Sequence, residues 1–453
     1  MRDKKILFIA YLYPPVGGKG LPGVQRSVKF IRYLSGMEKY VLTLREELYQ
    51  EFFSLDNKVP LPINQEKVIR TGAIDIFKVL LKGRELASSV FRKEAAAKPA
   101  EPRAETQTAT LPAPPGEKSL FGSIKDFVSD ILTIPDYAHA WIIPAIWRGT
   151  KLVSRNDVIF ATGMPWTSLL VGWAIKLLTG AKLIVDFRDP WEGNLFASDK
   201  VILRKAIERF LERSIVAGAD IVSLNTEDLK ADFISKYASL PESKFIALPN
   251  GFDGSDFSQV PVATSQENAD EILLTHAGYL YGVRDPKPIL KAIRKIGEKS
   301  PDTARKIRFR QMGYTDLDYD INAFTAENDL HENYTDLGPL PFDECLRNMG
   351  RADILVIIQQ DTKTQVPSKI YEYMYLKKPI LTVAQKDGAL GKMIEKYQFG
   401  DIFEPHDVNG LADYLSRKVS DKEKNGTLET VYKNSEIFDV RNITKELEKI
   451  LLS

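Results

Sequence analysis

Short apolar runs alternate with helix-period stretches along almost the whole chain, and this alternation is what most constrains the fold. Ile6 to Ala10 reads as a strand, a helix follows from about Val24 to Leu34, and Tyr40 to Leu44 is a second strand. Asp157 to Ala161 and Lys182 to Phe187 are further strands, separated by the apolar helix Ser168 to Leu178. Ile221 to Asn225 and Phe245 to Leu248 end this series. A second series begins near Glu271, with strands at Ile272 to His276, Ile307 to Met312, Asn333 to Leu337, Ile354 to Ile358 and Ile380 to Val383. Such alternation implies mostly parallel sheets with helices on both faces. At 453 residues the chain exceeds one ordinary core. The expectation is an α/β protein of two doubly wound lobes facing a central cleft, with ligands at the carboxyl ends of the strands.

The expected boundaries are 1–255 for the first lobe, 256–433 for the second, and 434–453 for a terminal helix that packs back toward the first. That helix, about Asn442 to Leu452, is amphipathic. Leu248-Pro-Asn-Gly-Phe252 is the hinge candidate, and Ser258 to Asp270 is a polar linker. Arg92 to Lys118 is rich in Ala, Pro, Glu and Thr, and reads as a mobile surface insertion.

The formal net charge of +1 gives no general reason to expect nucleic-acid binding. Cys345 is the one cysteine, so no intramolecular disulfide can form and a reducing, cytoplasmic setting fits. The start, Met1 to Ala10, reads as a buried strand rather than a signal peptide, because Tyr13-Pro-Pro-Val-Gly-Gly18 follows in place of a small-residue cleavage site. No apolar stretch is long enough for a transmembrane helix.

The stretch Val366-Pro-Ser-Lys-Ile-Tyr-Glu-Tyr-Met374 carries the clearest chemistry. It reads as a loop entering a helix, with Ser368 as N-cap. Unpaired N–H groups and partial positive charge at a helix start can hold a diphosphate. Lys369 adds a cation, and Glu372, one turn on, offers acceptors for sugar hydroxyls. A capped helix with an acid in its first turn for dipole reasons alone is the alternative. Other candidates lie at strand ends. Gly17 and Gly18 allow close backbone approach to a ligand, or form a plain turn. Asp186-Phe-Arg-Asp-Pro-Trp191 ends a strand, where Arg188 and Asp189 either hold a sugar or acceptor or brace the loop as an ion pair. Gly278 and Gly282 flank a loop leading to Arg284, whose guanidinium suits phosphate oxygens. Asp316-Leu-Asp318 reads as a solvated acidic loop rather than a metal-binding pair. His139, His276, His331 and His406 are scattered, and no zinc spacing exists. Tyr137 to Trp147 is aromatic and apolar, with Arg148 and Lys151 behind it; a buried helix start is favoured over a membrane or lipid-acceptor contact.

In this order the motifs resemble bacterial glycosyltransferases of the family-4 type, with the GT-B fold of two Rossmann-like lobes. The resemblance spans the chain apart from the Arg92 to Lys118 segment. Tyr13 to Gly18 looks like the family's glycine loop, Asp186 to Trp191 like a motif of a polysaccharide-assembly subgroup, and Pro249-Asn-Gly-Phe-Asp253 like its interdomain turn. Gly278 to Arg284 resembles the phosphate-contacting loop, and Pro367 to Met374 the nucleotide-sugar signature. The family often carries two glutamates here; the second matches Glu372, while the first position is Thr364. Related subgroups with the Pro-Ser-Lys form commonly lack that first glutamate.

The resemblance implies a retaining, metal-independent transferase with no cofactor. It would move a sugar from a nucleotide-diphosphate donor, UDP favoured over GDP, to a glycan or polyprenyl-diphosphate-linked acceptor in surface polysaccharide biosynthesis. Arg284, Lys369, Arg188 and Asp189 are then the expected catalytic residues. Gly17, Gly18, Gly278, Pro367, Ser368 and Glu372 are the expected donor-binding residues. The location implied is cytoplasmic, with any membrane attachment peripheral, at the inner face and through the first lobe. A nucleotide-sugar epimerase on the same fold and a non-catalytic glycan- or nucleotide-binding partner are the competing readings.

Overall fold

A computed structural model describes residues 4–16, 22–49, 65–74, 133–192, 202–257, 270–360, 362–428, 430 and 432–452. Gly17, Gly18, the Arg92 to Lys118 segment and most of the Ser258 to Asp270 linker lie outside the described residues.

The first lobe runs β1 (Lys5–Ile9), α1 (Pro22–Tyr33), β2 (Glu38–Leu44), β3 (Lys67–Thr71), α2 (Ile142–Gly149), β4 (Val158–Gly163) and α3 (Thr167–Thr179). It continues with β5 (Lys182–Phe187), α4 (Ile202–Gly218), β6 (Ile221–Leu224), α5 (Glu227–Lys236) and β7 (Phe245–Ala247). The second lobe opens with β8 (Ile272–Ala277), β9 (Leu280–Tyr281), α6 (Lys287–Lys299), α7 (Pro301–Arg305), β10 (Ile307–Met312) and β11 (Thr315–Asp316). Next come α8 (Ile321–Glu327), β12 (Tyr334–Asp336), α9 (Phe342–Arg351), β13 (Ile354–Gln359) and α10 (Lys369–Leu376). The chain ends with β14 (Ile380–Ala384), α11 (Ala389–Tyr397), β15 (Gly400–Phe403), α12 (Val408–Asn425) and α13 (Val440–Leu452).

Both main sheets are parallel. The first has strand order β3-β2-β1-β4-β5-β6-β7 and the second β12-β10-β8-β13-β14-β15. Each therefore reverses direction beside its first strand, at β1/β4 and at β8/β13. Loops leaving the two strands at such a point diverge and open a crevice at the carboxyl edge.

The period of two along β1 sorts its side chains onto two layers. Leu7 and Ile9 pack with Trp141, Ala145, Leu169 and Ile175 under α2 and α3. Ile6 and Phe8 pack on the other face with α1 and with Val440, Ile443, Leu447 and Leu451 of α13. Those four residues form one helical stripe, and each such buried aliphatic contributes about 2 kcal/mol. Lys4 Nζ and Lys182 Nζ donate to the terminal carbonyls of Leu451 (2.7 Å) and Ile450 (3.0 Å), which the helix itself leaves unpaired. The terminal helix thus lies on the first lobe's sheet although it follows the second lobe in sequence.

Candidate active site

Helix α10 begins beside the second crevice. Ser368 stands at the N-cap position, but its backbone is already helical (φ −61°, ψ −25°) and its side chain makes no capping hydrogen bond. The expected Ser368 cap is therefore corrected: a helical dihedral turns the hydroxyl away from the N–H groups it was to satisfy. Lys369 and Glu372 fall in the first turn and pair through Nζ and Oε2 at 2.7 Å. Burial pulls the Lys369 ammonium toward deprotonation, but Glu372 outweighs it and the pKa lies above the usual lysine value. Lys377 takes a left-handed conformation (φ 52°) and ends the helix before Pro379.

Tyr373, on the inner side of α10, fixes the helix to the sheet. Its hydroxyl accepts from the Ala277 N–H (3.0 Å) and donates to the Val356 carbonyl (3.3 Å), one contact on each side of the β8/β13 reversal. The loops above are joined as well. Arg284 Nε donates to Gln359 Oε1 (3.0 Å), Gln359 Nε2 donates to Thr362 Oγ1 (2.7 Å), and the Gln360 N–H donates to the Val283 carbonyl (2.8 Å). The Arg284 guanidinium also sits over the Tyr281 ring, 5.3 Å from its centroid.

A solvent-open pocket in the cleft between the lobes is lined by Ser368, Lys369 and Glu372 on one side and by Arg26 and Lys29 of α1 on the other. Asp256 is also in the lining and pairs with Lys29 at 3.1 Å. Each of the three cations in this lining has an acid partner: Lys369 with Glu372, Lys29 with Asp256, and Arg26 with the buried Asp186 of β5.

Arg188 and Asp189 leave β5 on the first lobe. The Arg188 guanidinium donates to the carbonyls of Gly163, the last residue of β4, and Met164 just after it. It lies so close to α1 that a Cβ on Gly23 would sit 1.8 Å from Nη1. Asp189 reaches across the cleft and accepts from Gln365 Nε2 at 3.0 Å. Burial raises its pKa above the usual carboxylate value, against the opposing pull of Arg188 and Gln365. Thr226 adds a second crossing, its hydroxyl donating to the Thr364 carbonyl at 2.9 Å. Thr364, at the position of the missing glutamate, therefore meets the first lobe through its backbone.

The structure gathers Pro367, Ser368, Lys369, Glu372, Gly278 and Arg284 around the second crevice. Arg188 and Asp189 stand on the facing lobe, joined to this group through Gln365. Sequence reading missed Arg26 and Lys29, whose i, i+3 spacing on the first helix was the available signal. It took His276 only as one of four scattered histidines. This side chain is 4% exposed at the end of β8 and shares a 2.6 Å hydrogen bond between Nδ1 and Gln311 Oε1. Gln311 Nε2 donates to the Gly278 carbonyl (2.8 Å), so its Oε1 is the acceptor and His276 Nδ1 carries the proton. Burial, with Arg284 nearby, lowers the His276 pKa to about 4. Among the described residues no three His, Cys, Asp or Glu side chains group to hold a metal. Asp316 instead accepts from the Tyr279 hydroxyl at 2.9 Å.

Two parallel doubly wound lobes across a cleft, each with its crevice at the carboxyl edge, define the GT-B class. Within this chain, residues 82–251 match the glycosyl transferase 4-like domain. A trehalose-phosphate synthase (UDP-forming) from Burkholderia xenovorans superposes with TM-score 0.57 at 12% identity, over 99% of this chain and 100% of that one. A glycosyltransferase from Rickettsia africae gives 0.55 at 13% identity over 100% of both chains. Sucrose-phosphate synthase from Thermosynechococcus elongatus gives 0.54 at 14% identity, over 99% of this chain and 98% of that one. These likenesses are of fold. No curated protein matches the chain in sequence. Among the described residues no helix is long and apolar enough to cross a membrane.

Proposed function

We propose that the protein transfers a sugar from a nucleotide-diphosphate donor, UDP favoured, to a glycan or polyprenyl-diphosphate-linked acceptor in bacterial surface polysaccharide assembly. The transfer retains anomeric configuration and uses no metal. The observation that carries this reading is the Lys369–Glu372 pair in the first turn of α10, facing Lys29 and Asp256 across the cleft. The difficult event is departure of the diphosphate. Lys369, Arg284 and the positive end of the α10 dipole stabilise the charge that grows on it. Pro367 and Ser368 set the entry of that helix, Gly278 lets the neighbouring loop approach, and Glu372 receives hydroxyls of the donor. Arg188 and Asp189 place the sugar or the acceptor hydroxyl from the facing lobe, and donor binding by Gly17 and Gly18, which lie outside the described residues, is part of the same proposal. Contact between the lobes keeps water from the reacting carbon.

The test is a transfer assay in chelator with UDP-, GDP-, ADP- and dTDP-sugars and a panel of glycan and lipid-linked acceptors. Nucleotide release and product configuration are read by chromatography and NMR. Acceptor-dependent release with one donor series, lost in Lys369→Ala and Arg284→Ala, supports the reading. Full activity in both variants sinks the site assignment, and donor conversion without any acceptor points to the epimerase.

A further inference from the structure

Two polar side chains stand inside the second lobe where its core layer otherwise runs apolar. Alternate residues of β8 and β10, Ile272 and Leu274 with Ile307 and Phe309, pack with Ile289 and Ile293 of α6. His276 and Gln311 continue the same alternation one step further. They stand opposite each other in register and are 4% and 0% exposed. Burying an imidazole and an amide is costly unless their hydrogen bonds are made, and a fully bonded buried network then fixes one arrangement of what it touches.

What this network touches is the point where β8 leaves the main sheet. His276 Nδ1 donates to Gln311 Oε1 at 2.6 Å, and Gln311 Nε2 donates to the Gly278 carbonyl at 2.8 Å. The Gly278 N–H donates to the Met312 carbonyl at 2.8 Å, so β10 holds this residue by both its backbone polar groups. The imidazole lies against it as well, since a Cβ on Gly278 would stand 3.5 Å from His276 Cε1. Gly313 (φ 142°) approaches so closely that a Cβ there would be 2.1 Å from the Gly278 carbonyl oxygen, a fit that requires glycine. Beyond Gly278 the chain enters β9, which pairs with β11, and the Leu280 N–H donates to the Tyr314 carbonyl at 2.9 Å. The path from Gly278 to Arg284 therefore takes its direction from a backbone residue that the buried pair holds in place.

We propose that His276 and Gln311 are positioning residues for nucleotide-diphosphate binding: by fixing Gly278 they set the course of the loop and aim the Arg284 guanidinium at the diphosphate. They act through Arg284 and not by touching the ligand. The inference rests on the transfer reading for what Arg284 binds.

The test is a double-mutant cycle on nucleotide binding by the full chain. UDP, GDP, ADP and dTDP are titrated by calorimetry, and the tightest is carried through the cycle. His276→Leu/Gln311→Leu removes both partners together, so that neither is left buried without the other, and urea unfolding checks the fold. This double variant is expected to weaken nucleotide binding about tenfold when Arg284 is present, and by less than about twofold in an Arg284→Ala background. His276→Asn, which keeps an N–H where Nδ1 stands, is expected to retain the wild-type affinity. A merely structural role would show as the same loss in both backgrounds. That result overturns the proposal and leaves the transfer reading intact. So does unchanged binding by the folded double variant, or a loss in His276→Asn as large as that of the double variant. Failure of all four nucleotides to bind wild type overturns the transfer reading and this proposal with it.

Discussion

Arg26 of α1 and Asp186 of β5 form a fully buried, two-pronged ion pair, with Nε and Nη2 donating to Oδ2 and Oδ1 at 2.9 and 2.8 Å. The carboxylate also accepts from Thr162 and Ser223, and the guanidinium reaches the carbonyls of Leu248 and Pro249 in the turn between the lobes. One pair thus ties the first helix, the centre of the first sheet and the hinge. Removing either partner leaves a buried charge alone, so Arg26→Ala or Asp186→Ala is expected to cost about 3–5 kcal/mol in urea unfolding. Burial alone would raise the Asp186 pKa, but Arg26 and the hydroxyl donors hold it below the usual carboxylate range. Its contribution is therefore present above the unfolded pKa and is lost as pH falls through the folded one. Asp186→Asn is expected to flatten the acid limb of the stability profile.

Lys369→Ala is expected to lower kcat for transfer by about 10²–10³-fold, the usual effect of removing one group that stabilises a developing anion. Glu372→Gln keeps the size of the side chain but removes the charge that holds Lys369. It is expected to raise KM for the donor and to lower kcat less than Lys369→Ala does. Steady-state nucleotide release over a range of donor concentrations separates the two effects.

Much of the fold was legible because buried parallel strands are nearly continuous apolar runs. Lys182–Phe187 and Ile307–Met312 match the expected limits residue for residue. The elements passed over lack that signal. Edge strand β3, Lys67–Thr71, buries little beyond Thr71 and carries Lys67 and Arg70. Edge strand β15 opens with Gly400 and Asp401. In the segment Tyr137 to Trp147, Trp141 is fully buried, as the favoured reading of a buried helix start expects, while Trp147 is exposed. At the site, Lys369 and Glu372 were legible because both their chemistry and their spacing are local. The crossings Asp189–Gln365 and Thr226–Thr364 join residues 176 and 138 positions apart, and no pattern along the chain encodes such pairs.

His276 supplies a second pH dependence of stability. Its folded pKa of about 4 lies below the unfolded value of about 6.5. The unfolded chain therefore binds the extra proton between these values. Stability is full above about pH 6.5, falls as pH drops toward 4, and loses on the order of 3 kcal/mol from this group across the window. His276→Gln is expected to remove that slope in urea titrations at stepped pH while leaving the acid limb from Asp186 in place.

The Asp189–Gln365 contact predicts how closure of the lobes responds to pH. Asp189 gains its raised pKa by burial in the closed arrangement, whereas a carboxyl opened to water returns toward its ordinary value. The closed arrangement then binds a proton more readily than an open one, so closure is favoured as pH falls from neutrality toward the raised pKa. An amide in place of the carboxyl can still accept from Gln365 but cannot titrate. Asp189→Asn is therefore expected to hold the lobes together with no pH dependence as pH falls from neutrality through the acid range. Gln365→Ala removes the donor and is expected to open the lobes at every pH in that range, changing kcat and KM together because closure assembles the site. The radius of gyration from small-angle X-ray scattering, measured for wild type and both variants across the range, reads the effect directly. A radius independent of pH in wild type, or one unchanged by Gln365→Ala, contradicts it.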